Sequence, residues 1–238
     1  MKKILFLMMV VSSVFAVELK FYCGSTMSYA MQKIANKFEA NTGIKVNIIK
    51  GGSGALLKTI IKKQDGDLYF PGSYKFLRKN PDLFSYIKHL GYNKAVILVK
   101  KSNPKNITNL DDFVRNGIKP VLGIYNKGSV GKISKQILIA YKGKKFFNQV
   151  YKKAIKEPTS LEIVNDIKND KADVSIDWKA VVFMGDNKDY LDYIPILYVA
   201  PKQNLEIAVV NFSKHKKEAK EFIDFARKNM KFFQSQGF

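Results

Sequence analysis

The chain has 238 residues and a formal net charge of +21, with 46% hydrophobic and 26% charged residues. This composition is globular, because it is too apolar for a disordered chain. The single cysteine, Cys23, excludes an internal disulfide and a cysteine-based metal cluster, and two histidines leave little for a zinc site or a histidine-driven catalytic triad.

The positive charge comes almost entirely from lysine, and the three arginines are scattered at Arg78, Arg115 and Arg227. Strong positive charge is compatible with nucleic acid, an anionic membrane or a small anion as partner. Nucleic-acid recognition favours grouped arginines, which this sequence lacks. We therefore expect no nucleic-acid partner, and interpret most lysines as solvated residues whose summed field attracts anions.

The first sixteen residues have the pattern of a secretory signal peptide. Lys2 and Lys3 precede an apolar run over residues 4–11, and small residues stand at Val14 and Ala16. The apolar run is too short to span a bilayer, and the residues before Cys23 do not form a lipoprotein signal. We expect residues 1–16 to be removed and the mature protein to be periplasmic.

Strand and helix patterns alternate in the first half of the mature chain. They predict strands at residues 18–23, 44–49, 67–70 and 93–100, and helices at residues 27–40, 55–63 and up to Leu77. This alternation indicates βαβ units, and hence an α/β fold with a parallel sheet covered on both faces.

A second cycle of the same kind follows. It predicts helices at residues 109–114, 129–141, 144–155, 161–168 and 215–233, and strands or extended segments at residues 121–125, 173–178, 193–199 and 205–212. Two cycles predict two lobes, the first of residues 17–98 and 200–238 and the second of residues 99–199. The segments near residues 95–100 and 199–207 are the expected crossings.

Four serines stand where a predicted strand gives way to a helix: Ser25, Ser53, Ser129 and Ser160. A helix start carries unpaired N–H groups and the positive end of the helix dipole, and a neighbouring glycine lets an anion approach the backbone. Each serine alone could be an ordinary N-cap. Two in each predicted lobe favour convergence on one anion, since such turns meet at one edge of an open α/β sheet.

Several motifs around these serines resemble periplasmic molybdate/tungstate-binding proteins of ABC importers. They are Tyr22-Cys23-Gly24-Ser25-Thr26, Ala40-Asn41-Thr42-Gly43-Ile44-Lys45-Val46, Gly51-Gly52-Ser53-Gly54-Ala55-Leu56, Gly66-Asp67-Leu68-Tyr69, Glu221-Phe222-Ile223-Asp224-Phe225 and Gly237-Phe238. The resemblance covers essentially the whole mature chain, although the second lobe matches only in pattern. It implies a type II periplasmic binding protein fold, in which two α/β lobes joined by hinge strands close over an oxyanion.

The resemblance also implies a set of ligand-binding residues: Ser25, Thr26, Ser53, Gly54, Ser129, Val130, Ser160 and Trp178. Trp178 stands where the family has a tyrosine donor, and an indole N–H donates only one hydrogen bond. Asp177 is a second departure, because a carboxylate repels a dianion. Alternation along the strand predicts that Asp177 points away from the site. The turn Phe70-Pro71-Gly72-Ser73 also differs from the family's usual sequence.

The resulting hypothesis is a monomeric solute-binding protein that delivers molybdate or tungstate to an ABC permease at the inner membrane, without a cofactor or a resident metal. Phosphate or sulfate stays open as the ligand. So does ferric ion held by tyrosinates, although no adjacent Tyr-Tyr pair occurs. An extracytoplasmic enzyme is the alternative from another class, but we expect none, because the chain lacks a G-x-S-x-G elbow.

Overall fold

A computed structural model describes residues 17–197 and 202–238, so the predicted signal peptide lies outside the described residues. The strands in this part of the chain are β1 (Glu18–Gly24), β2 (Lys45–Gly51), β3 (Leu68–Phe70), β4 (Phe84–Asn93), β5 (Ala95–Lys100), β6 (Val121–Gly123), β7 (Ile155–Glu157), β8 (Val174–Trp178), β9 (Leu191–Pro195) and β10 (Gln203–Val210). The helices are α1 (Ser25–Thr42), α2 (Ser53–Lys63), α3 (Lys75–Arg78), α4 (Ser129–Lys153), α5 (Ser160–Lys168), α6 (Lys216–Lys228) and α7 (Met230–Ser235). The described helices include none that is long and apolar enough to cross a membrane.

The first sheet contains five strands in the order β2-β1-β3-β10-β4. Strands β1, β2 and β3 are parallel, as the alternating pattern predicts, whereas β10 runs antiparallel to both β3 and β4. Helices α1 and α6 pack together beside this sheet, and the buried ring of Phe222 meets Phe21 and Phe38 edge-on. The N-terminal and C-terminal parts of the chain therefore share one core.

The remaining strands form two smaller sheets. Strand β5 lies between β8 and β9 and is antiparallel to both, while β6 and β7 form a parallel pair. A single bridge from Pro120 to Val174 joins β6 to β8 in parallel. The parallel arrangement predicted from the first-half pattern therefore holds for β1, β2 and β3 but is wrong for β5, which is antiparallel to both its neighbours in a separate sheet. The chain enters β5 directly from β4 without a crossover helix, and strand direction is not encoded in the apolar pattern.

The chain passes from the first sheet to β5 at Lys94, and β9, which ends at Pro195, and β10, which begins at Gln203, belong to different sheets. Strand β5 pairs with β8 and β9 along its whole length, so residues 95–98, predicted in the first lobe, lie in the second-lobe sheet.

The hydrophobic cores follow this division. The first core surrounds Phe21 and Phe222, and the second lies between α4 and strands β5, β6 and β8. The exception is Ala180, just after β8, which packs into the first core. We keep the two-lobe division as a proposal, with the first crossing at Lys94.

Helix α4 contains a kink that confirms the prediction of two helices within residues 129–155. Lys142 and Gly143 have non-helical backbone angles, and Gly143 has φ 80° and ψ 179°. This region of backbone space is essentially restricted to glycine. The second segment carries Phe146, Phe147 and Val150 into the second core.

We expect Gly143→Ala to lower the free energy of unfolding by about 1–3 kcal/mol, because a Cβ strains this backbone conformation. Chemical denaturation monitored by circular dichroism measures the change. Gly54→Ala is the matched control, since Gly54 lies in α2 at negative φ and its added Cβ would meet only Phe76 at 3.7 Å. Equal stability of Gly143→Ala and wild type would contradict the prediction.

Candidate functional site

The predicted first-lobe residues lie together at one edge of the first sheet. Because β1, β2 and β3 are parallel, with Gly24 opposite Gly51 and Cys23 opposite Phe70, their carboxyl ends coincide. Helix α1 begins directly after β1, α2 begins two residues after β2, and the turn at residues 71–74 follows β3. Three strand–turn segments therefore meet at this edge, and the third of them was not predicted as part of the site.

Ser53 is oriented by two hydrogen bonds from this third segment. Its Oγ accepts from the backbone N–H of Gly72 at 2.9 Å, and its carbonyl oxygen accepts from the Tyr69 hydroxyl at 2.7 Å. Burial raises the pKa of Tyr69 well above its ordinary value, so the tyrosine keeps its proton. The Ser53 Oγ is thus fixed as an acceptor, and its own hydrogen is free to be donated to a ligand.

The four serines are not N-caps, which removes the simplest alternative for them. The N-caps of α1, α2 and α4 are Gly24, Gly52 and Gly128, none of which provides a side-chain cap, and each serine is the first helical residue. The first turns of these three helices also lack acidic residues. Their N–H groups therefore keep the capacity to bind an anion.

Ser129 and Val130 begin α4 at the carboxyl end of β6. Helix and strand approach closely through two glycines, since a Cβ on Gly131 would lie 2.3 Å from the Ile124 carbonyl oxygen and one on Gly123 would lie 2.6 Å from the Gly131 nitrogen. This contact fixes the first turn of α4 against the backbone of β6. Ser129 is exposed there, while the Val130 side chain is buried, leaving its backbone N–H as the group that could serve a ligand.

Trp178 lies at the end of β8 with its side chain buried. Its indole Nε1–H donates to the Ser129 Oγ at 3.4 Å, a long hydrogen bond, so the ring orients Ser129 in this structure. Trp178 therefore contacts a predicted site residue, and its role as a direct ligand donor stays a proposal.

Ser160 differs from the other three serines because its hydroxyl is already used. Thr159 caps α5 by accepting from the Leu161 N–H, and the Ser160 Oγ donates to the Asp177 Oδ1 at 2.7 Å. The expectation that Asp177 points away from the site is therefore wrong. All five residues of β8 are buried, so alternation does not separate a solvent face from a core face.

Asp177 is fully buried, and its pKa is raised to about 7. Desolvation is the largest cause of this raised pKa. The hydrogen bonds from the Ser160 hydroxyl and from the backbone N–H of Trp178 partly oppose it. An ionised and a neutral carboxyl are therefore both accessible near neutral pH.

The structure places the eight predicted residues in two groups, one at the carboxyl ends of β1 and β2 and one at the carboxyl ends of β6, β7 and β8. The first contains Ser25, Thr26, Ser53 and Gly54, and the second contains Ser129, Val130, Ser160 and Trp178. Gly72 and Asp177 were not predicted as site residues, although the Pro71-Gly72-Ser73 turn after a buried strand carried the same signal as the other turns.

Few side chains in either group are suited to binding a metal ion or to acting as a catalytic nucleophile. Within the described residues, no cluster of three or more His, Cys, Asp or Glu side chains could hold a metal. Burial raises the pKa of Cys23 well above its ordinary value, so it is not a thiolate. His89 packs against Tyr92 and His215 precedes α6, so neither histidine belongs to the two groups. Neutral hydrogen-bond donors are what the two groups chiefly offer.

Comparison with known proteins gives consistent similarities over almost the whole chain. The family described as "Bacterial extracellular solute-binding protein" matches residues 19–238. A binding protein of Haemophilus influenzae is 24% identical over 236 residues, covering 95% of this chain and 92% of its own.

Two solved structures are similar in fold. The substrate-binding domain of a molybdenum ABC transporter from Clostridium difficile has a TM-score of 0.76 and 18% identity, covering 93% of this chain and 98% of its own. PEB3 of Campylobacter jejuni with bound L-phospholactate has a TM-score of 0.74 and 22% identity, covering 92% and 98%. The α/β periplasmic binding protein fold is therefore confirmed.

The buried carboxyl of Asp177 predicts a specific pH dependence of stability. Its pKa is raised in the folded state from an ordinary 3.8 to about 7, so its contribution to stability is complete below about pH 4 and is lost as the pH rises to about 7. Relative to Asp177→Asn, wild type should lose about 1.4 kcal/mol of unfolding free energy per pH unit in that window. Urea denaturation of both proteins across the window measures the difference.

Asp112→Asn is a control of opposite sign. Burial acts to raise the pKa of Asp112, but the N–H groups of Thr108 and Asn109 and the charge of Arg115 outweigh it and hold the pKa below its ordinary value. Relative to this variant, wild type should gain stability as the pH rises through the acid range. A stability difference between wild type and Asp177→Asn that does not change with pH would contradict the first prediction.

Proposed function

The chain belongs to the family of bacterial extracellular solute-binding proteins, and from this premise we propose that it binds a small tetrahedral oxyanion, molybdate or tungstate. The two residue groups at the sheet edges would face each other across a cleft and close over the ion. The loaded protein would deliver it from the periplasm to an ABC permease at the inner membrane. Binding would stabilise the closed arrangement because only there do both lobes contact the ion.

The observation that carries this proposal is the set of three helix starts with glycine at the N-cap and serine at the first helical position. Uncapped N–H groups and the helix dipole favour an anion at each of these points. Ser53 and Ser129 accept hydrogen bonds from Gly72 and Trp178 respectively, which leaves their own hydrogens free. An oxyanion needs several such donors arranged around it, and no cation is required.

Two of the similar structures support the same class of ligand. One is described as part of a molybdenum ABC transporter, and another holds L-phospholactate, whose phosphate group is also tetrahedral. The family and these neighbours are therefore consistent with a tetrahedral oxyanion, while the choice of molybdate or tungstate rests on the sequence motifs around Ser25 and Ser53.

Calorimetric titration of the mature protein tests the proposal directly. We expect saturable binding of molybdate or tungstate, with sulfate, phosphate and ferric citrate as competing candidates in the same assay. Binding of phosphate or sulfate alone would correct the ligand but keep the oxyanion. Binding of ferric ion alone, or of none of these, would overturn the proposal.

Ser53→Ala should weaken oxyanion binding by about 1.5–3 kcal/mol, roughly ten- to hundredfold, because it removes a hydrogen bond to a charged group. The matched control is Ser235→Ala. Ser235 is an exposed serine of α7 whose hydroxyl donates to the Phe232 carbonyl, and it lies far along the chain from both residue groups. Calorimetry on both variants gives the comparison. Equal affinities for Ser53→Ala and wild type would remove Ser53 from the site.

A further inference from the structure

Asp177 is a buried acid directly beneath the start of α5. Its Oδ1 accepts from the Ser160 hydroxyl at 2.7 Å and from the backbone N–H of Trp178 at 2.6 Å. Its Oδ2 is buried without a hydrogen-bond partner among the described residues. A buried carboxylate oxygen without a partner is costly when charged. The geometry therefore favours the neutral acid.

No cation among the described residues forms a salt bridge with Asp177. The elements packed against β8 are β5, β6, α4, α5 and the turn after Trp178. The charged side chains of these elements contact residues other than Asp177, or solvent. Lys100, Lys142 and Lys168 form ion pairs with Asp170, Asp111 and Asp186, and Asp166 forms one with Lys171. Lys135 and Lys179 lie over the rings of Tyr125 and Tyr193. Glu162 accepts a hydrogen bond from Thr159, and Lys132 is exposed to solvent. The remaining lysines of α4, from Lys144 to Lys153, lie beyond its kink.

An anion bound at the start of α5 would therefore lie beside an uncompensated negative charge whenever Asp177 is ionised. Two like charges in a desolvated site disfavour joint ionisation. The ionised carboxylate also holds the Ser160 hydroxyl hydrogen in a charge-assisted bond, roughly twice as strong as a neutral one. Protonation of Asp177 removes the repulsion and weakens this hold, so that the Ser160 hydroxyl can turn to the ligand.

Resting on the proposed function, we infer that Asp177 is a positioning residue that couples oxyanion binding to the uptake of one proton. The proton comes from solvent and stays on the Asp177 carboxyl while the ion is bound. Asp177 acts through Ser160 and through its own charge, without touching the ligand. The coupling gives the protein a higher affinity for dianions in more acidic surroundings.

The raised pKa of Asp177, about 7 in the absence of ligand, sets the range in which this coupling acts. Below that value the site is already neutral and binding needs no further proton. Above it each pH unit should weaken the binding of a dianion about tenfold, because an increasing fraction of the protein must first take up a proton.

The experiment is calorimetric titration with molybdate and with sulfate, both of which stay dianions in this range, at about pH 6 and about pH 8. Each titration is run in two buffers of different ionisation enthalpy, which counts the protons taken up. Wild type should bind about tenfold more weakly at the higher pH, with uptake approaching one proton there. Asp177→Asn should bind with the same affinity at both pH values and take up no proton.

Asp67→Asn is the matched control. Asp67 is also buried and accepts from a serine, Ser213, at 2.6 Å, but it precedes β3 and lies at the opposite edge of the first sheet from Ser53. Its variant should keep the wild-type pH profile and proton uptake. Loss of the profile in this variant, in which Asp177 is intact, would show that the pH dependence does not come from Asp177 and would overturn the assignment.

The outcomes separate this inference from the proposed function. If no oxyanion binds at either pH, the proposed function fails. If wild type binds equally at both pH values without proton uptake, or Asp177→Asn keeps the pH dependence, the coupling fails while the proposed function stands. Should Asp177→Asn not fold, carbon-13 NMR of the wild-type Asp177 carboxyl gives the answer, since its pKa must rise when molybdate saturates the protein. An unchanged pKa would overturn the coupling.

Discussion

The first turns of α1, α2 and α4 leave backbone N–H groups without a side-chain partner, and the proposed site depends on this condition. Glycine at each N-cap provides no oxygen to fill the role, and none of the three helix starts has a side-chain cap hydrogen bond. Free donors at a helix start are normally satisfied by solvent or by a ligand. Parallel strands then bring such starts to the same sheet edge, so a local backbone feature becomes a shared site.

Electrostatics act at two distances in this protein. At long range, the net charge of +21, or +19 after loss of the predicted signal peptide, attracts anions from solution. At short range the two groups contain neutral donors with one buried acid, Asp177, beside them, so contact with the proposed ion would rely on hydrogen bonds. Scattered lysines would therefore affect the rate at which the proposed ion is captured, whereas Ser53, Ser129 and Asp177 would affect selectivity and release.

Much of the fold could be predicted from the sequence, because helices and strands with buried faces repeat their apolar residues regularly. Strand β4 was missed because, among the described strands, it pairs with β10 alone as an edge strand and carries half-buried polar residues such as Ser85 and Lys88. The antiparallel direction of β5 depends on how the chain turns at Lys94, which no residue pattern reports. Similarly, the serines could be located at helix starts, but the contact between Ser160 and Asp177 follows from tertiary packing alone.

The close approach of Gly123 and Gly131 also bears on how this scaffold can be re-engineered. Because backbone meets backbone there, the placement of the α4 start does not depend on the residue at position 129. The serines at the first helical positions are also not N-caps, so replacing them removes no capping hydrogen bond. A combinatorial library at position 129, with the two glycines kept, should therefore alter ligand preference with little penalty to folding yield.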